Sequence, residues 1–221
     1  VYALISVAEF FALWIGPMDW FDSACHTFGT MATGGFSTKN ASIAHFQSAY
    51  VDWVIIFFMV LAGTNFSLHY FGLQGKVIRY LRSREWQFWM SIMGMALVFM
   101  LVDLFLSSFY EGESAAIMAF KAEPLRQAAF QVVSIITTTG FATADFEQWS
   151  YYAQFILFGL MFVGGMAGST GGGIKAIRIL LFTKMAITEL RRMIHPRAYF
   201  AINSLTMMPF ATQLHSSYSS W

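Results

Sequence analysis

The sequence predicts an all-α integral membrane protein built from two tandem repeats, each a helix, a short helix, a glycine hairpin and a second helix. Of the 221 residues 57% are hydrophobic and only 11% are charged, whereas a soluble domain carries about 25% charged residues. Residues 31–38 and 137–143 look like two copies of one glycine hairpin. Each copy follows a short amphipathic stretch and precedes a long apolar run.

The first repeat begins with an apolar run at residues 1–15. This run is short, because about 20 residues are needed to cross the hydrocarbon of a bilayer, and it is interpreted as the end of a truncated helix. Gly16-Pro17 ends it, and Asp19 or Asp22 then caps a short helix that runs to about Met31. After the hairpin, residues 50–70 are predicted to form one membrane span.

The second repeat has the same order of parts. Residues 86–109 form the next predicted span, with Asp103 toward its end. Glu123-Pro124 opens the second short helix, since proline is favoured at the first helical position. The second hairpin follows, and a further apolar run enters the membrane at residue 151.

An alignment of the two hairpins supports the repeat. Gly35-Phe36 matches Gly140-Phe141 at an offset of 105 residues, and Gly63 matches Gly164 at an offset of 101. The predicted divisions are a first pore repeat at residues 1–74, a cytoplasmic link at 75–85, a second pore repeat at 86–203 and a tail at 204–221. Two repeats of this size cannot enclose an axis, so several re-entrant filter hairpins are expected to combine in a potassium-channel-like way.

Basic residues indicate the orientation of the chain. Ten of the 13 lysines and arginines lie in residues 76–84 and 175–197, and the positive-inside rule makes these segments cytoplasmic. Most acidic residues lie on the other side, so both hairpins are predicted to dip from the outer face beneath an acidic vestibule that concentrates cations. The net charge of +1 gives no indication of nucleic-acid binding.

Both hairpins have the composition of a cation filter. A dehydrated cation needs a shell of backbone carbonyls, and a glycine turn between membrane helices can aim carbonyls at one axis. The predicted filter residues are Thr33, Gly34, Gly35, Thr138, Thr139 and Gly140. The threonines are expected to supply carbonyl oxygens, with their hydroxyls as further candidates. The filter glycine of the first repeat is Gly34 or Gly35, and the alignment favours Gly35. Glycines that only permit close helix packing are the alternative.

A run of six glycines in ten residues, at residues 164–173, lies where a helix is expected to continue. Irregular backbone at membrane depth is tolerated only where it faces protein or a water-filled cavity. A glycine-packed helix crossing is the alternative. A phosphate loop is rejected, because Ile174 separates the last glycine from Lys175 and Ala176 follows the lysine.

Several charged and reactive residues lie outside the hairpins. Lys175 and Arg178 lie one helical turn apart and are interpreted as positive-inside anchors, or as contacts to the glycine-rich run or to a partner. Asp52 and Asp103 are interpreted as interface residues or as part of a polar contact between the repeats. The histidines lack metal-ligand spacing, the lone Cys25 permits no intramolecular disulfide, and an enzyme is not expected because no nucleophile–base–acid set is visible.

These motifs resemble the superfamily of Trk, Ktr and HKT potassium transporters, most specifically a bacterial Trk-type membrane subunit. The resemblance rests on Gly34-Gly35-Phe36-Ser37-Thr38, Phe130-Gln131-Val132-Val133-Ser134, Thr137-Thr138-Thr139-Gly140, Gly164-Gly165-Met166-Ala167-Gly168-Ser169-Thr170-Gly171-Gly172-Gly173-Ile174-Lys175 and Arg191-Arg192-Met193-Ile194-His195-Pro196. In that family one chain carries four such repeats, of which this sequence resembles the second and third. Residues 204–221 depart from the family pattern.

The resemblance implies potassium uptake across the bacterial inner membrane, with K+ bound at Gly35 and Gly140. It makes the glycine-rich run an intramembrane gating loop, formed by Gly164, Gly165, Gly168, Ser169, Thr170, Gly171, Gly172 and Gly173. It also implies a homodimer in the lipid bilayer and a cytoplasmic nucleotide-binding regulatory subunit, contacted by residues 76–84 and 184–197. ATP, ADP or NAD would bind that subunit and not this chain. A non-conducting structural or regulatory membrane fragment and a membrane-embedded enzyme are the alternatives.

Overall fold

The computed structural model of the chain describes residues 1–110 and 122–194. Its helices are α1 (Tyr2–Ile15), α2 (Trp20–Met31), α3 (Ala49–Gly63), α4 (Phe66–Leu73), α5 (Ile78–Arg82), α6 (Arg84–Tyr110), α7 (Ala122–Ile136), α8 (Tyr151–Leu160) and α9 (Ala176–Ile194). Short 3-10 helices lie at Ser42–Phe46 and Phe146–Gln148. The described residues form no strand beyond a single bridge between Val163 and Ile174. The chain divides into two compact units, Val1–Leu180 and Leu181–Trp221.

The short helices before both hairpins are confirmed as α2 and α7. Asp19 occupies the N-cap position of α2, but its side chain makes no capping hydrogen bond. Asp22 lies in the first turn of α2, where its carboxylate accepts a hydrogen bond from the Thr38 hydroxyl. Asp19 therefore occupies the predicted cap position of α2. The predicted capping hydrogen bond is wrong, because the Asp19 side chain makes none.

Residues 50–70 do not form the single continuous span that the sequence predicts. The axes of α3 and α4 differ by 105°, because the chain leaves the helical conformation at Thr64. Asn65 then starts α4 in a new direction, since its side chain accepts a hydrogen bond from the Ser67 N–H at 2.8 Å. This break creates the surface against which the glycine-rich run lies.

A helix needs about 20 apolar residues to cross the hydrocarbon of a bilayer. Within residues 1–110 and 122–194 one helix is long and apolar enough to do so alone, Arg84–Asp103. The pair α3 and α4 passes the same test only as a broken span, and α1 and α8 are shorter apolar helices. The helix predicted at residues 86–109 is therefore confirmed as α6, and Arg84–Asp103 has the length and composition of a span.

The core of the first unit lies between the two repeats. Helix α7 packs against α3 and α6, and the largest fully buried side chains on these helices include Ile55, Met59, Trp89, Phe130 and Ile136. Burying a large apolar side chain contributes about 1.5–3 kcal/mol when it leaves water. In a bilayer the same close packing gains van der Waals contact instead. The short helix of the second repeat is thus held rigidly behind its hairpin.

An ion pair joins the repeats at this core. Asp52 lies in the first turn of α3, and its carboxylate is 2.8 Å from the Arg126 guanidinium on α7. The two side chains are only 9% and 18% exposed. The interpretation of Asp52 as a polar contact between repeats is confirmed. Asp103 instead accepts a hydrogen bond from Ser150, which ties α6 to the start of α8 within the second repeat.

We expect Asp52→Leu or Arg126→Leu alone to destabilise the protein by about 3–5 kcal/mol, because each leaves an uncompensated buried charge. The double variant should cost less than either single change. Thermal unfolding of the four proteins in one detergent, analysed as a double-mutant cycle, measures this difference. Additive losses would mean that the two groups do not interact.

Some predictions fall outside the described residues. These are the tail at 204–221, two of the acidic residues predicted on the outer side (Glu111 and Glu113), and the last residues, 195–197, of the second basic segment.

Candidate filter and glycine-rich loop

The two hairpins have the same backbone conformation. Thr33 and Gly35 have φ values of 52° and 66°, and Thr138 and Gly140 have φ values of 60° and 85°. Positive φ is unusual for a threonine, so its occurrence at both equivalent positions is a strong mark of a shared structure. Gly35, and not Gly34, is the structural equivalent of Gly140.

The hydrogen bonds repeat with the same offset of 105 residues. In the first hairpin the N–H groups of Gly34 and Gly35 both donate to the Gly29 carbonyl, at 2.8 and 3.3 Å. In the second, those of Thr139 and Gly140 both donate to the Ser134 carbonyl, at 2.9 and 3.2 Å. Each short helix therefore ends in a left-handed cap of the Schellman type. The hairpin N–H groups face back toward the helix end.

This arrangement leaves the hairpin carbonyls without hydrogen bonds. Within the described part of the chain, none is made to the carbonyl oxygens of the six predicted filter residues. The threonine hydroxyls are engaged by protein. Thr33 donates to the Thr170 carbonyl at 3.0 Å, Thr138 accepts from the Gly172 N–H, and the Thr139 hydroxyl lies 2.9 Å from that of Thr137. Carbonyls, rather than hydroxyls, are the groups available to a cation.

The two hairpins touch each other directly. A Cβ built on Gly35 would lie 2.0 Å from the Thr139 carbonyl oxygen, a distance at which no side chain can be accommodated. Behind this contact Phe141 of the second hairpin is 1% exposed and packs on Gly29 and on the His26 ring. The equivalent Phe36 is 83% exposed, and Gly140 faces open space. The two hairpins therefore use different surfaces to touch each other, so the contact between them is head-to-tail.

Buried polar side chains of α2 bind the segment that follows the first hairpin. His26 lies 2.7 Å from the Asp22 carbonyl through Nδ1 and 2.9 Å from the Ser37 hydroxyl through Nε2. Burial lowers the pKa of His26; a neutral ring then donates through Nδ1 and accepts through Nε2. Asp22 binds the Thr38 hydroxyl at 2.6 Å and the Lys39 ammonium at 3.0 Å. The Thr38 hydrogen bond is the main cause that lowers the pKa of Asp22.

Position 131, which is equivalent to 26, does the same in the second repeat. Gln131 donates to the Ala144 carbonyl at 3.2 Å, and Ser134 donates to the Phe141 carbonyl at 2.6 Å. Gln131 and Ser134 belong to a motif that carried the family resemblance, but their supporting role was not predicted from the sequence. Their signal was the presence of polar residues on the inner face of a short amphipathic helix.

Residues 161–175 are irregular, as the glycine-rich run predicted. Gly164 and Gly172 approach so closely that a Cβ on Gly164 would lie 2.0 Å from the Gly172 carbonyl oxygen. The Gly164 N–H donates to the Ile174 carbonyl at 2.9 Å, which closes the run into a loop. Gly168 and Gly173 have φ values of 73° and 65°, which glycine adopts without strain. We call residues 164–173 the glycine-rich loop.

The glycine-rich loop lies against both hairpins. Its Thr170 carbonyl accepts from Thr33 of the first hairpin, and its Gly172 N–H donates to Thr138 of the second. A Cβ on Gly171 would lie 3.2 Å from the Thr137 carbonyl oxygen. The loop therefore contacts the two threonines that have positive φ.

The same loop fills the break between α3 and α4. Met166 donates from its N–H to the Gly63 carbonyl at 2.9 Å, and the Thr170 hydroxyl donates to the Ala62 carbonyl at 3.1 Å. In return the Phe66 N–H donates to the Gly168 carbonyl at 3.1 Å. Two irregular segments thus satisfy each other's backbone groups.

Lys175 lies at the end of the loop, immediately before α9. Its ammonium donates to the Ser169 carbonyl at 3.4 Å and also to the Gly171 carbonyl. The predicted contact between Lys175 and the loop is present. Arg178, one turn further, is exposed, so the structure does not bring both basic residues to the loop.

Comparison with known proteins adds the family to this geometry. The model of the TrkH family, described as a cation transport protein, matches residues 3–214, a range that includes both hairpins and the loop. The chain belongs to the TrkH family.

Similarity to individual proteins supports the same family. The chain is 39% identical over 203 residues to the Trk system potassium uptake protein TrkH of Escherichia coli K12 and 31% identical to TrkG of the same strain. It is 36% identical to a crystal structure of the potassium transporter TrkH from Vibrio parahaemolyticus, with a TM-score of 0.81 over 91% of this chain. The chain spans about 40% of the length of these relatives. The resemblance to a Trk-type protein is thereby confirmed.

Proposed function

We propose that this chain forms two pore repeats of a potassium-uptake protein of the bacterial inner membrane. The observation that carries the proposal is the pair of hairpins with one backbone conformation, in direct contact and with unbonded carbonyls. Its relatives named as potassium-uptake proteins support potassium as the ion. Potassium is then the transported substrate, bound near Gly35 and Gly140.

The chemistry follows from the carbonyls. A potassium ion that sheds its water needs oxygen ligands, and the carbonyls of Thr33, Gly34 and Gly35 with those of Thr138, Thr139 and Gly140 would provide them. Helices α2 and α7 both end at a hairpin, so their negative dipole ends favour a cation there. With one glycine layer in each hairpin, selectivity should be weaker than in a filter with several stacked carbonyl layers.

Further hairpins are needed to complete the carbonyl shell. The contact from Phe141 to the first repeat is head-to-tail, and head-to-tail contacts generate closed rings when the rotation permits. Two surfaces of this kind remain uncovered: the exposed Phe36 of the first hairpin and the open side of Gly140 in the second. We propose that additional repeats of the full-length protein occupy both ends.

The glycine-rich loop is the proposed gate. Its hydrogen bonds to Thr33 and Thr138 hold it against both hairpins, and displacement would break these bonds. We propose that a cytoplasmic nucleotide-binding subunit contacts the two basic segments, the link at residues 76–84 and the segment from residue 184. A homodimer in the bilayer is proposed as the assembled form.

The test is rubidium uptake by cells that lack their own potassium uptake and express the full-length protein. We expect uptake by the wild type and a loss of about tenfold or more for Gly140→Asp, because the new carboxylate would trap cations at the filter. Aspartate tolerates the left-handed conformation of this position. Gly75→Asp is the matched control, since Gly75 also has positive φ and open space around it.

Three outcomes would count against this proposal. Equal uptake by wild type and Gly140→Asp at matched protein amounts would mean that the filter lies elsewhere. Uptake absent from all variants would favour a non-conducting structural or regulatory role. An equal loss in Gly75→Asp would mean that the effect is one of folding.

A further inference from the structure

A carboxylate that the proposed function does not use lies beneath the glycine-rich loop. Glu85 occupies the first turn of α6, immediately after the basic link. Its Oε1 atom accepts a hydrogen bond from the Ala167 N–H at 2.7 Å. Glu85 and Ala167 are 82 residues apart in the sequence, so this contact joins two distant parts of the chain.

The same carboxylate also lies near the segment that follows the loop. The Ile177 N–H, in the first turn of α9, is a second backbone group that stabilises the charge of Glu85. Backbone N–H groups in a first turn have no partner within their helix, and a negative charge there is favourable. One side chain therefore binds the loop at Ala167 and lies beside the helix that follows the loop.

Lys175 completes the arrangement. Its charge attracts Glu85, and its ammonium donates to the loop carbonyls of Ser169 and Gly171. The carboxylate binds the loop at Ala167, and the ammonium binds it at Ser169 and Gly171. Hydrogen bonds that involve a charged group are about twice as strong as neutral ones.

We propose that Glu85 is the latch that keeps the glycine-rich loop against the hairpins and couples that loop to the link. This rests on the proposed function, in which the loop is the gate. Helix α5 and α6 are separated only by Ser83, so a force on the link moves the first turn of α6. Because the Glu85 carboxylate then withdraws from the Ala167 N–H, the loop is released. Glu85 acts through the loop and is a positioning residue.

The test is single-channel recording of potassium currents from the full-length protein in lipid bilayers without its cytoplasmic partner. Glu85→Leu removes the acceptor with similar bulk. We expect it to raise the open probability by about tenfold or more, since hydrogen bonds to a charged group contribute about 1.5–3 kcal/mol. Glu85→Gln keeps one acceptor oxygen and should give a smaller rise. Glu147→Gln, the same chemical change on an exposed outer residue, should leave the open probability unchanged.

The outcomes separate this inference from the proposed function. If Glu85→Leu conducts potassium with the open probability of the wild type, the latch is refuted while the pore stands. If no variant, wild type included, passes potassium, the proposed function fails. Should Glu85→Leu yield too little protein, Glu85→Gln decides alone, because an unchanged open probability there would also overturn the latch. A lowered protein amount with unaltered gating would indicate a purely structural role.

Discussion

Gly35→Ala is expected to abolish potassium uptake by the full-length protein. The new Cβ would lie 2.0 Å from the Thr139 carbonyl oxygen, which is a backbone atom and cannot rotate away. The φ value of 66° at Gly35 adds about 1–2 kcal/mol for an alanine, and overpacking adds about 1–3 kcal/mol. Together these costs should reduce the fraction of correctly formed filter by roughly 30-fold or more.

Rubidium uptake and the amount of folded protein, measured together, test this expectation. Gly34→Ala is the instructive neighbour, because its Cβ would make only an ordinary contact, 3.4 Å from the Phe36 ring. It should lose less uptake than Gly35→Ala. Gly94→Ala, in α6 with open space around it, is the control for protein production. If Gly34→Ala were the more damaging variant, the equivalence of Gly35 and Gly140 would be wrong.

Gly164→Ala is expected to open the proposed gate. A Cβ at this position would lie 2.0 Å from the Gly172 carbonyl oxygen and 3.0 Å from the Gly172 and Gly173 carbonyl carbons. The loop can relieve this overlap only by moving its far side, which carries the Gly172 N–H that binds Thr138. Overpacking of about 1–3 kcal/mol should raise the resting open probability by roughly tenfold.

Single-channel recording without the cytoplasmic partner measures this effect. Gly159→Ala is the matched control, because Gly159 lies in α8 with no atom within 4 Å of its Cβ position, and alanine favours a helix. It should conduct with wild-type gating. A Gly164→Ala protein with wild-type open probability would show that the loop does not control access.

The sequence alone predicted the positions of most elements. Apolar runs and helix-breaking residues located α2, α6 and α7, because helix ends are set by local chemistry within a few residues. It failed at residues 50–70, where an apolar run suggested one span. The helix breaks at Thr64, where the glycine-rich loop bonds the backbone of Ala62 and Gly63 before the break and of Phe66 after it. That loop is about a hundred residues away in the sequence.

The candidate site was also predictable in part, because part of its structure is encoded by neighbouring residues. The repeated threonine and glycine pattern identified both hairpins, since left-handed backbone is encoded locally by glycine. The hydroxyls of Thr33 and Thr138 were expected as possible ligands of the ion. They bind the loop instead. The contacts of His26, Gln131 and Glu85 were not predicted, because a lone polar residue on a helix has no distinctive pattern until its partner is known.

The sequence by itself thus determined the membrane class, the internal repeat, the two hairpins and the family. All of these depend on composition, on periodicity or on backbone preferences that act within a few residues. Only the tertiary structure decided that Gly35 lies on the Thr139 carbonyl, that the loop fills the α3–α4 break, and that Glu85 binds that loop at Ala167. These features depend on distances between atoms of residues far apart in the chain, and such distances are set by packing.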